Sequence, residues 1–151
     1  MGTSYTDYGP IGFWAFDGHL ELWLHLLVAS VDAAPDPEPW LRAARDDWFE
    51  QATVGFVGHV CVDLDRHLAG DPDREASFRR LLREVDRRIA SHGEAVPAEV
   101  TGRLTVGGGR TLGAVSTDLL HRFTAAMDGL VRGEAAWDTT HRVPGVWSAP
   151  A

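Results

Sequence analysis

The sequence predicts an all-α protein: a compact orthogonal bundle of four to five helices, with an aromatic-rich N-terminal arm (1–16) and an irregular C-terminal tail (135–151). Three observations predict it. Apolar residues recur at helical spacing in several windows, and capping or breaking residues bracket those windows. The hydrophobic stripe also shifts, from Trp40, Leu41, Ala44, Trp48 and Ala52 to Val57, Cys61, Leu64 and Leu68, around Gly55 and Gly58. Interior glycines weaken a helix by about 0.5–1 kcal/mol each relative to alanine, so this pair marks a kink or a close helix crossing.

The arm carries Tyr5, Tyr8, Ile11, Phe13, Trp14 and Phe16 among glycine and proline, a composition for an extended arm or short strand laid over the first helix. That helix runs from an N-cap at Asp17 to about Val31, with Leu20, Trp23, Leu24, Leu27, Val28 and Val31 on one broad face. Leu22 and Leu26 lie on another side. A helix apolar on two sides is either central to a bundle or shares its second side with a partner. A second helix starts near Glu38, and Val57–Ala69 reads as a half-helix that Gly70, Asp71 and Pro72 end. The third helix, about Asp73–Ser91, has Phe78, Leu81, Leu82, Val85 and Ile89 on one stripe. Pro97–Leu104 reads as a short helix, and a last helix runs from Ser116 to about Arg132 with Leu119, Leu120, Phe123, Met127, Leu130 and Val131 inside. No repeat or linker divides the chain, so residues 1–134 form one domain.

With 151 residues, 44% of them hydrophobic, the chain can bury a core without staples. Its formal charge of −8 argues against nucleic acid and anionic membrane as partners, whereas the use of arginine for all fourteen basic residues carries no functional weight. An acidic balance instead favours a basic protein partner. Leu20–Val31 is too short to span a membrane and no signal peptide is readable at the start, so a soluble, cytoplasmic protein is expected. Cys61 is the sole cysteine, which excludes an intramolecular disulfide, and its place on a stripe predicts a small core residue.

Several residues invite a catalytic or metal reading. His59, Asp63 and His67 recur every four positions and would stack on one face of a helix; His25, beside Glu21, and His121, beside Asp118, could complete a carboxylate and histidine centre. The same trio lies opposite the apolar stripe, so a solvated face is the favoured reading and no cofactor is expected. Gly107, Gly108, Gly109 and Arg110 suggest a phosphate loop but lack the lysine and preceding strand of one, and read as a connection. Arg79, Arg80, Arg83, Arg87 and Arg88 are diluted by acids and read as a salt-laced helix face.

With no assembled catalytic set, the leading expectation is a non-enzymatic protein-interaction module: an inhibitor, immunity-type or adaptor protein. Its surface would be Leu22 and Leu26 with Trp14, facing a basic partner or a second copy in a homodimer. Two alternatives stand beside it. One is a small metal-dependent helical enzyme using His25, His59, Asp63, His67 and His121; the other is a small-molecule binder with an aromatic pocket that draws on Trp14 and Trp137.

Overall fold

The computed structural model describes residues 2–134 and the backbone of Ser148–Ala149. The chain opens as a β-hairpin. Strands β1 (Thr3–Tyr8) and β2 (Ile11–Phe16) pair antiparallel with Tyr8 opposite Ile11, so Gly9 and Pro10 form the whole turn. Gly9 has a φ of +60° and proline holds its own φ at about −65°, the combination a type II′ turn requires. Ser4, Thr6, Phe13 and Ala15 face inward, and Tyr5 and Trp14 meet on the other face with ring centroids 5.3 Å apart.

This hairpin, with β5 (Ser148–Ala149) on the free edge of β2 and a second pair made by β3 (Ala95–Val96) and β4 (Val115–Ser116), overturns the all-α expectation. The fold is mixed α/β, with six α-helices and two small antiparallel sheets among the described residues. The reason lies in β1, whose inward positions are serine and threonine. Polar residues at the inward positions, Ser4 among them bonded to Asp17, leave no apolar alternation that a hydropathy pattern would reveal.

Helix α1 (Asp17–Asp32) follows β2 directly and is buried nearly all round, packed against α2 (Pro39–Val54), α4 (Pro72–Ala90) and α6 (Thr117–Val131). Its second apolar side is thus covered within the chain. Trp23 on α1 donates its indole N–H to Thr124 Oγ1 on α6 at 3.0 Å. Helix α4 begins with Pro72 behind the Asp71 cap, whose carboxylate accepts from the Asp73 amide, and it buries Phe78, Leu81, Leu82, Val85 and Ile89. No helix among the described residues is long and apolar enough to cross a membrane.

The stretch after α2 departs most from expectation. Gly55, with φ +86°, caps α2 in the left-handed conformation, and residues 59–62 run extended with Val60 and Val62 buried and Cys61 exposed. Only Leu64–Leu68 (α3) is helical, bounded by Asp63 and Ala69 at φ values of +54° and +52°. The pattern at Val60 and Val62 has a period of two, which the half-helix reading missed, and Val57 is 64% exposed where a core position was expected. Trp48 pins this extended segment to α2 by donating to the Val62 carbonyl at 2.8 Å. Helix α5 (Ala98–Thr101) and a tight turn at Gly107–Gly109 lead to β4 and α6. Residues 135–147, including Trp137 and Trp147 of the expected tail, lie outside the described residues.

Candidate functional site

Asp17, Glu21 and His25 stand one turn apart on α1 and form a polar strip in an otherwise apolar helix. Asp17 is fully buried; it accepts from Ser4 Oγ at 2.6 Å and from the Gly58 amide at 2.8 Å, and Ser4 Oγ in turn accepts from the Val60 amide at 2.8 Å. One carboxylate therefore ties the hairpin to the loop after α2. Asp17→Asn presents an amide N–H₂ to one of those two donors, and we expect a loss of about 1–3 kcal/mol, read from the urea midpoint. An unchanged midpoint would show that the loop docks without this carboxylate.

Glu21 is also fully buried, and Arg110, reaching across from the glycine turn, pairs with its Oε1. Oε2 has no hydrogen-bond partner and lies where a Cβ on Gly107 would sit. Burial pushes the Glu21 carboxyl above its ordinary range, against the opposing pull of Arg110. His25 Nε2 donates to the Thr105 carbonyl at 2.8 Å, and burial lowers its pKa, so the imidazole is neutral at pH 7. The strip is a set of internal ties. The arginine of the suspected phosphate loop is committed to Glu21, and its glycines serve a close approach to Gly55.

The residues proposed as metal ligands are dispersed. His59 is exposed on the extended segment, Asp63 precedes α3, and His67 alone of the trio is helical, so the shared face they need does not exist. His25 is bound to Thr105, and His121 Nδ1 meets Asp86 Oδ1 at 2.7 Å across α6 and α4. Asp118 pairs with Arg122 at 3.1 Å. Among the described residues, no three His, Cys, Asp or Glu side chains are grouped to hold a metal. Leu22 and Leu26 are 0% and 6% exposed, so they belong to the core, and of the expected interaction surface Trp14 alone is partly exposed, beside Tyr5.

Among the described residues, the large apolar side chains that face solvent are Phe49 at 42%, Val54 at 50% and Val57 at 64%, all in the C-terminal half of α2 or in the loop after it. Phe49 is fixed from two sides. The Arg45 guanidinium lies 5.0 Å above its ring while making two hydrogen bonds to Asp32, at 2.8 and 3.0 Å, and the His25 ring meets it edge-on at 6.1 Å. Asp46 and Glu50 are exposed on the same helix. Sequence reasoning passed over Phe49, although its place off the Leu41, Ala44, Trp48 and Ala52 stripe was the available signal.

On the other flank of α2 a small cavity of 150 Å³ opens between Asp47, Glu50 and Gln51 and the segment bearing Cys61, Asp63 and His67, with Arg66 at its rim. Gln51 Oε1 accepts from the Cys61 amide at 2.8 Å, and the His67 ring packs against Trp48 at 5.5 Å. Burial and the Asp63 carboxylate raise the Cys61 thiol pKa, which disfavours the thiolate a nucleophile would need. Compared with protein-family models, curated proteins and solved structures, the chain matches none of them.

Proposed function

We propose that this chain is a small non-enzymatic protein-interaction module, an inhibitor, immunity-type or adaptor protein, whose binding face is the solvent side of α2 with the loop that follows. The observation that carries this reading is that Phe49, Val54 and Val57, the large apolar side chains exposed among the described residues, all fall in the C-terminal half of α2 or the loop after it, beside exposed acidic residues. An aromatic already held by Arg45 and His25 loses little side-chain freedom on binding, the property of an interface anchor. Acidic neighbours and the formal charge of −8 favour a basic partner. An exposed thiol at Cys61 suits a reducing, cytoplasmic setting.

The test is a Phe49→Ser/Val57→Ser double variant compared with the parent in capture from native host cells. We expect stability to hold to within about 1 kcal/mol, because both side chains are exposed. A partner held by the parent should fall at least tenfold in yield, the effect of losing an anchor worth about 1.4 kcal/mol or more. A partner retained equally by the folded variant overturns this face. Sedimentation of the same pair identifies a second copy as the partner when the parent alone dimerises.

A further inference from the structure

We propose that residues 102–111 form a lid on α1 that opens without unfolding of the helices beneath it, and that the closed lid holds the α2 face in shape. The second half rests on the interaction-module reading, and the first stands without it. The segment leaves α5 at Gly102 and carries Gly107, Gly108 and Gly109 near its tip. Its base is pinned, because the buried Thr101 hydroxyl donates to the Leu112 carbonyl at 2.8 Å. Between those ends, every backbone to backbone hydrogen bond among the described residues stays inside the segment or returns to α5. The Gly109 and Arg110 amides, for example, both bond the Val106 carbonyl, at 2.9 and 3.1 Å. Lifting the segment therefore breaks no ladder, the property of a unit that opens on its own.

Side chains hold the tip down. Val106 is fully buried, His25 Nε2 donates to the Thr105 carbonyl at 2.8 Å, and Glu21 meets Arg110 and the Gly107 backbone. Glu21 is the weakest of these ties. It is fully buried, and Arg110 and Gly107 do not offset that burial, so its carboxyl stays above the ordinary 4.5. Asp17, on the same helix, pushes it the same way. Opening returns the carboxylate and the guanidinium to water.

The same contacts reach the α2 face. The His25 ring meets Phe49 edge-on at 6.1 Å, and the Gly107 and Gly108 backbone backs Gly55, next to Val54. An open lid frees His25 from Thr105 and removes that backing. A partner that needs Phe49 and Val54 in place binds the closed form and draws the lid shut.

Hydrogen exchange in the full chain, read by NMR, tests the lid. The Gly109 and Arg110 amides should exchange through an opening at least about a hundredfold more populated than the one that exposes the Leu24 amide in α1, and low urea should speed Leu24 alone. Equal populations with equal urea dependence overturn the proposal. Glu21 and His25 titrate in opposite senses. The raised carboxyl favours the closed lid while protonated, so opening grows as pH climbs from 4.5 through the raised value; burial lowers the His25 pKa, so opening grows as pH falls below 6.5. In His25→Gln the open population should therefore rise about threefold from pH 4.5 to about 7.5, and in His25→Gln/Glu21→Gln it should stay constant. A rise that persists without Glu21 overturns the proposal.

Arg110→Ala, which loosens the lid and leaves Phe49, Val54 and Val57 intact, should lower partner capture at least about threefold. Capture unchanged there, though lost in Phe49→Ser/Val57→Ser, removes the lid's hold on the face. Local exchange at Gly109 with capture unaffected by Phe49→Ser/Val57→Ser removes the face and leaves the lid.

Discussion

Replacing Arg110 with alanine should cost about 3 kcal/mol, the lower end of the range for stranding one member of a buried ion pair. Glu21 is fully buried, so losing the guanidinium removes the larger of the two influences that oppose burial there, the other being the Gly107 backbone. Arg110 itself is 33% exposed, which is why the lower end applies. The pH dependence has a definite sign. Burial already raises the folded-state pKa of Glu21 above its ordinary 4.5, and removing Arg110 raises it further. The native state then holds a proton that the unfolded chain has released, so stability is greatest below the ordinary value and falls as pH rises through the raised one. Arg110→Ala should therefore regain stability on acidification from pH 7 toward 5, measured as urea midpoints across that window. Glu21→Met/Arg110→Ala should recover most of the loss at pH 7, because an apolar side chain of similar length leaves no charge behind. A flat pH profile in the single variant would show that Glu21 is satisfied without Arg110.

That tie also shows why part of the molecule was legible in the sequence and part was not. Helices α1, α2, α4 and α6 were readable because each sets a stripe such as Phe78, Leu81, Leu82, Val85 and Ile89 toward the core, and a stripe is a local pattern. The β1–β2 hairpin was not, because polar Ser4 and Thr6 point inward, and Ser4 is held there by Asp17 and the Val60 amide in the loop after α2, contacts that span distant parts of the chain. Glu21 stood at the edge of its apolar stripe and gave no sign that Arg110, far along the chain, would meet it. His59, Asp63 and His67 had ligand spacing only on the assumption of a helix, and Gly55, Gly58 and the left-handed Asp63 break that helix before it forms. The interaction face was half visible: Phe49 lies off stripe in the sequence, but its fixation by Arg45 and His25 is a tertiary fact.

Gly55→Ala should be the second large loss, about 2–4 kcal/mol, and it joins stability to the proposed face. The left-handed φ of +86° costs a non-glycine residue about 1 kcal/mol. The rest comes from space. A Cβ on Gly55 would lie 2.7 Å from the Gly108 nitrogen and 2.8 Å from the Gly107 carbonyl carbon, and both are backbone atoms that cannot rotate aside. Overpacking of this kind costs about 1–3 kcal/mol more. The glycine turn that must yield carries Arg110 and borders Glu21, so Gly55→Ala and Arg110→Ala should be strongly non-additive in a double-mutant cycle. Gly70→Ala provides the control: its φ is +66° but nothing lies within 4 Å of its Cβ, so it should show the conformational cost alone. Equal losses at Gly55 and Gly70 in urea titrations would mean that the two glycine segments are not in contact. A larger loss at Gly55, accompanied by weaker partner capture, is expected because Val54 and Val57 flank the glycine whose backbone is displaced.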